Sequence, residues 1–212
     1  IRELSESFNE LKEDPNTKVL IISAKGKSFC AGGDLDWMKE QIFSDRKTRI
    51  EEARKLADLL YKMYQFPKTL IAKVEGNAFG GGIGIISVCD VAISIENIKL
   101  ALTEAKLGLI PATISPYVIS KVGSSNGIDL FTSARTFYPP EAKNIGLIKS
   151  FCNQERIDNI IKEEADSILI NGPSAVTASK NLVRNLSSKI DENTVKFTVE
   201  ALADVWEDPE SI

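Results

Sequence analysis

The sequence predicts a single α/β domain, on three observations. β-branched apolar runs alternate with amphipathic helical stretches through the first half, glycine-rich turns follow the strand candidates, and no linker-like or low-complexity segment divides the 212 residues. With 43% hydrophobic and 26% charged residues, the chain has enough apolar material for one core.

In order, Leu4, Phe8 and Leu11 mark an amphipathic helix to about Glu13, and Asp14-Pro15-Asn16 reads as a turn. The run from Lys18 to Ser23 then predicts a buried strand. After the small-residue segment Ser28 to Asp34, apolar positions Ile50, Ala53, Leu56, Leu60 and Met63 recur at helical spacing until Pro67, predicting a long surface helix. A second strand, Thr69 to Glu75, feeds the turn Gly76 to Gly82 and a short buried helix over Ile83 to Val88. Cys89 to Ile95 and Ile98 to Leu102 are short strands. Beyond Tyr117 the pattern is predominantly helical, with faces at Ile157, Ile161, Ala165 and Ile168 and at Val195, Val199, Leu202 and Trp206. The domain thus divides into a core over about 1–115 and a helical region over about 116–212.

Composition removes several classes of function. A formal net charge of -4 gives no general attraction for nucleic acid or anionic membrane, and no basic stripe with interleaved aromatics appears, so neither is an expected partner. Cys30, Cys89 and Cys152 are odd in number and lack metal-ligand or redox-pair spacing; they read as reduced, packed residues. Histidine is absent, which excludes Ser-His-Asp and Cys-His nucleophilic machinery and His-ligated zinc or haem. Acid-base chemistry falls to carboxylates, lysines or tyrosines. The apolar stretch from Ile83 to Ile95 is short and interrupted by Asp90, so the expectation is a soluble protein in a reducing, cytoplasmic setting. The chain opens on Ile1 inside a helical pattern, and further residues are expected upstream.

Three segments can carry chemistry: Ser28-Phe-Cys-Ala-Gly-Gly-Asp34, Phe79-Gly-Gly-Gly-Ile-Gly84, and Leu102-Thr-Glu-Ala-Lys106 with Gly108-Leu-Ile-Pro111. A thioester enzyme without histidine needs two preorganised N–H donors where negative charge develops on the thioester oxygen. Gly81 stands where a strand feeds a helix, so its N–H can meet a ligand with the helix dipole behind it, and Gly33 can supply the second donor. The glycine run does not fit a P-loop, lacking the Lys and Ser/Thr that follow one, and the GxGxxG spacing is not met. The bland reading of Gly80 to Gly82 is tight helix-strand packing.

Phe29-Cys-Ala-Gly-Gly-Asp34, Gly76-Asn-Ala-Phe-Gly-Gly-Gly82, Cys89-Asp90 and Glu104 with Gly108-Leu-Ile-Pro111 resemble the enoyl-CoA hydratase/isomerase, or crotonase, family in order and spacing over essentially the whole chain. Asp34-Leu-Asp-Trp-Met38 and Gly108 to Tyr117 are similar to the methylglutaconyl-CoA hydratase-like branch. The resemblance implies a crotonase-type spiral of ββα units followed by a helical trimerisation region, with the first strands and last helices of complete members absent here. It implies oxyanion donors at Gly33 and Gly81, with Gly80 beside them. Lys27 and Ala31 are then placed near coenzyme A, and Asp34, Leu35 and Asp36 line the acyl entrance. Coenzyme A arrives as part of the substrate, so no separate cofactor is implied; the implied assembly is a homotrimer or a dimer of trimers. Lys25 and Lys27 read equally as a solvated basic turn.

Hydratases of the family pair two glutamates; here the first position is Gly84 and only Glu104 remains. Without the family, Glu104 would be an ordinary surface residue. Two mechanisms stay open: Glu104 activates water for addition to an α,β-unsaturated, branched or carboxylated acyl-CoA, or it shuttles a proton in a Δ3-Δ2-enoyl-CoA isomerase. A catalytically inactive acyl-CoA-binding relative is the third expectation, motivated by Gly84. Thr113 and Ser115 could meet a terminal carboxylate or serve as capping residues, and Trp37 and Met38 could line the acyl tunnel or simply pack.

Overall fold

The computed structural model describes residues 1–187 and 189–211, and for Leu35 the backbone alone. Among the described residues, eight strands form two four-stranded sheets. The first has order β1 (Val19–Ile22), β3 (Thr69–Val74), β5 (Val91–Ile95), β8 (Ser150–Cys152), all parallel. The second has order β2 (Ser28–Cys30), β4 (Asn77–Phe79), β6 (Leu100–Ala101), β7 (Thr136–Phe137), with only the β6–β7 pair antiparallel. Each turn of the chain lays one strand in the first sheet, one in the second, and then a helix: β1 and β2 lead to α2 (Leu35–Phe43) and α3 (Arg46–Tyr64), β3 and β4 to α4 (Gly81–Val88), β5 and β6 to α5 (Ser115–Ser133). This is the expected spiral of ββα units.

Period-two burial of β3 ties the layers together. Leu70, Ala72 and Val74 enter the main core between sheets and helices, while Ile71 points to the opposite face and packs with Ile93 against Ile157, Ile161 and Ala165 of α7 (Ile157–Leu169). A third cluster joins Ala53 and Ala57 of α3 to Val195 and Val199 of α9 (Glu192–Val205). Helix α4 is apolar nearly all round and correspondingly buried, which holds both its ends rigidly in the molecule. The remaining helices are α1 (Arg2–Glu13), α6 (Pro139–Asn144) and α8 (Pro173–Leu186). No helix among the described residues is long and apolar enough to cross a membrane.

One expectation is corrected. The strand over Lys18 to Ser23 is an edge strand, paired among the described residues only with β3, so Ile21 is 44% exposed instead of buried. The long helix α3 is the expected surface helix, with Leu60 and Met63 fully buried on its inner face. Within the predominantly helical region over 116–212, the short strands β7 and β8 complete both sheets.

Candidate active site

Three neighbouring strands of the second sheet place the site. Gly33 follows the C-terminal end of β2, Gly81 that of β4 and Glu104 that of β6, and these strands are adjacent and parallel. Residues far apart in sequence therefore meet at one edge, the carboxyl ends of the strands, where open α/β sheets commonly hold ligands. Together they line a cavity of about 200 Å³ that also takes in Ala31, Gly32, Gly80, Trp37 and Met38.

Glu104 opens a one-turn 3-10 helix ended by Gly108 at φ +66, and the Leu109 N–H donates to the Glu104 main-chain oxygen at 3.1 Å. Its carboxyl faces the Gly80 backbone so closely that a Cβ at residue 80 would stand 2.9 Å from Oε1. Oε2 is buried without a hydrogen-bond partner among the described residues. Burial pushes the carboxyl pKa up from the ordinary glutamate value, opposed only by a hydrogen bond to its own backbone. An orphaned acid in a cavity is poised to hold or release a proton, and it is the property expected of a general acid-base group.

Gly80, at φ +48, is the N-cap of α4 and uses its own N–H on the Ala101 carbonyl at 3.0 Å. That strained turn leaves the Gly81 N–H at the first helical position, where helices have unsatisfied donors. Among the described residues neither the Gly81 N–H nor the Gly33 N–H has an intramolecular partner. The packing reading of the glycine run is also realised, but at other residues. A Cβ at Gly82 would stand 2.7 Å from the Cβ of Cys30, and one at Gly84 would collide with Ile114.

The other expected residues divide. Ala31 and Gly80 line the cavity; Lys27, Asp34 and Asp36 do not. Lys27 is exposed before β2. Asp34 is the N-cap of α2, accepting from the Asp36 and Trp37 N–H groups at 2.9 and 3.0 Å, and Asp36 pairs with Lys39 at 3.2 Å on the surface. The side chain of Leu35 lies outside the described residues. Ser115 is the first residue of α5, and its hydroxyl donates to the Ala112 carbonyl at 2.8 Å, whereas Thr113 lines the cavity and is buried. Trp37 and Met38 are lining residues, with the Trp37 indole donating to Glu52 at 3.2 Å. Leu56 of α3 and Leu202 and Trp206 at the end of α9 close the cavity from above. Sequence reasoning saw their apolar periodicity without the tertiary contact that brings α9 onto α3.

The Enoyl-CoA hydratase/isomerase family profile matches residues 1–209. The chain belongs to that family. It is 28% identical over 203 residues to a putative enoyl-CoA hydratase of Thermus thermophilus, spanning 96% of this chain and 79% of that one. It is 30% identical over 213 residues to a short-chain-enoyl-CoA hydratase of Clostridium acetobutylicum (97% and 78%) and 30% identical over 190 residues to a peroxisomal Delta(3,5)-Delta(2,4)-dienoyl-CoA isomerase of Arabidopsis thaliana (84% and 68%). Against an enoyl-CoA hydratase of Alternaria alternata it spans 60% of the relative's length. A crystal structure of an enoyl-CoA hydratase from Shewanella pealeana superposes with a TM-score of 0.85 at 34% identity, covering 99% of this chain and 78% of that one. These matches show the enoyl-CoA hydratase/isomerase family and fold, and leave the narrower methylglutaconyl-like branch undistinguished. Within the family frame, Gly84 has a physical reason: the space a side chain would need is filled by Ile114, which itself lines the cavity.

Proposed function

We propose that this protein is an enoyl-CoA hydratase acting on a short, α,β-unsaturated acyl-CoA. The observation that carries the reading is the carboxyl of Glu104, with its buried Oε2, sharing one small cavity with Gly33 and Gly81, whose N–H groups, like that oxygen, have no partner among the described residues. Glu104, as the carboxylate, takes a proton from water as the water oxygen bonds to the β-carbon. The electron pair of the double bond moves toward the thioester oxygen, which accepts hydrogen bonds from Gly33 and Gly81. The protonated Glu104 then returns its proton to the α-carbon, and the 3-hydroxyacyl thioester forms.

Cavity size and lining narrow the acyl group. About 200 Å³ is below the roughly 300–1,000 Å³ of drug-sized pockets, so it suits an acyl end with the coenzyme outside. No Lys or Arg lines it among the described residues, and Glu104 is already an acid there, which favours an apolar or branched acyl group over a carboxylated one.

A second reading, a Δ3-Δ2-enoyl-CoA isomerase, is favoured by the closure of position 84: one carboxyl suffices to carry a proton between two carbons. A screen of 2-enoyl- and 3-enoyl-CoAs in heavy-oxygen water separates the readings. Label in a 3-hydroxyacyl-CoA supports hydration, and double-bond movement without label supports the isomerase. Firm binding with no turnover of any substrate leaves an inactive acyl-CoA-binding relative and removes both. For assembly we propose a trimer or dimer of trimers, supported by an exposed apolar face of α8 in which Leu182, Val183 and Leu186 are 60, 64 and 80% exposed. Sedimentation equilibrium showing monomer alone at micromolar concentration overturns it.

A further inference from the structure

At the far end of α4 from the glycines lies a second cavity, of about 410 Å³, that shares no lining residue with the first. Lys180 and Arg184 of α8 converge there on a single carboxylate, Asp90, with Lys121 of α5 beside them at the Asp90 main chain. That carboxylate is already committed. Its Oδ2 accepts the Leu70 N–H at 2.8 Å and the Lys180 ammonium within 2.5 Å, while Oδ1 stands 3.9 Å from an Arg184 nitrogen. Lys121 reaches only the Asp90 main-chain oxygen, at 3.3 Å. The Arg184 guanidinium stacks 4.6 Å above the Tyr64 ring, and its Nη1 is buried with no hydrogen-bond partner among the described residues.

Three cations thus face one anion in a setting where the Lys180 and Arg184 side chains are only 10 and 14% exposed. Uncompensated charge withdrawn from water is unfavourable, and burial accordingly lowers the pKa of all three cations. The C-terminal carbonyls of α4 contribute a dipole equivalent to about half a negative charge, too little to balance the excess. A dianion would balance it. A guanidinium with a free edge, two ammonium groups and the hydroxyls of Ser120 on α5 and Ser179 on α8, which line the same cavity, make up a donor set suited to phosphate oxygens.

We propose that this cavity is a second binding site, taking a small phosphate-bearing anion, either free phosphate or a phosphate monoester. Because α4 has 8 residues, the site is separated from the oxyanion glycines by about 10–12 Å along the helix axis. The test is titration calorimetry of the full chain with inorganic phosphate at constant ionic strength, with and without saturating coenzyme A. A small monoester such as glycerol phosphate serves as the second probe and tells the two sources apart by which binds tighter. The expected result is saturable binding of one phosphate per chain, undisturbed by coenzyme A and weakened at least tenfold in both Arg184→Gln and Lys121→Met. No saturable binding of either probe to the wild type overturns the proposal, as does equal affinity in a folded variant. Binding displaced by coenzyme A places the anion at the thioester cavity and overturns it too. Lys121→Met leaves the Asp90 pairs in place, so it decides the matter if Arg184→Gln does not fold.

Discussion

The two ends of α4 present two carboxylates in opposite circumstances. Glu104, beside the N-terminal end, is half-buried, its Oε2 fully covered and without a partner among the described residues, and its affinity for a proton rises. Asp90, beyond the C-terminal end, is surrounded by the Leu70 N–H, Lys180 and Arg184. A carboxylate so engaged ties the end of α4 to β3 and α8; one left without partners is available for proton transfer. What separates a site acid from a structural one in this molecule is the set of groups around it, since both are short acidic side chains at the ends of strands or helices.

That contrast is broken most sharply at Glu104. Glu104→Gln keeps the shape and removes the proton carrier, so turnover should fall by about 10²- to 10⁴-fold while acyl-CoA affinity stays within a few-fold. Steady-state kinetics with a calorimetric binding measurement checks both halves; unchanged turnover removes Glu104 from the chemistry.

The matching substitution at the other end should act on stability. Asp90→Asn leaves Lys180 and Arg184 beside a neutral amide. Removing one partner of a buried pair costs about 3–5 kcal/mol, and with Asp90 25% exposed the lower end applies. Urea unfolding of both proteins measures it. A loss under about 1 kcal/mol would mean that the cluster behaves like surface ion pairs.

The same contrast explains which parts of the molecule are legible in its sequence. The α/β class, the strand over Thr69 to Glu75 and the buried helix after it were legible, because fully covered parallel strands and an apolar helix leave runs that composition alone betrays. Strands β2, β4, β7 and β8 were not, since two or three residues carry no measurable period and two of them sit in glycine-rich turns. Gly33, Gly81 and Glu104 were singled out because glycines after strands and a carboxylate in a histidine-free chain leave few chemical choices, and the motif order supplied the rest. The roof of the cavity, Leu202 and Trp206, was hidden for a different reason. Their spacing reports a buried face, and which partner buries it depends on the docking of α9 against α3, a contact between segments more than a hundred residues apart. The cation cluster was likewise scattered over Asp90, Lys121, Lys180 and Arg184, and no local pattern connects them.

The smallest effect concerns what the orphaned acid does to the fold. Burial raises the Glu104 pKa above its unfolded value of about 4.5, so the native state binds that proton more tightly than the unfolded chain does. The stability this supplies is full below the unfolded pKa, where the group is protonated in both states. It is lost as pH rises through the folded pKa, because the native protein must then hold a desolvated charge. Glu104→Gln carries no such charge at any pH. The variant and the wild type should therefore melt together near pH 4, and the variant should gain as pH rises toward 8, by about 2–4 °C for each kcal/mol of desolvation it avoids. Thermal melts across that range, at constant ionic strength, measure the divergence. Parallel curves would show that the carboxyl is solvated as fully as in the unfolded chain, and the distinction between Glu104 and Asp90 would then rest on hydrogen-bond geometry alone. A divergence of the opposite sign would mean that an unrecognised donor holds Glu104 as an anion, leaving it a poorer acid for returning the proton to carbon.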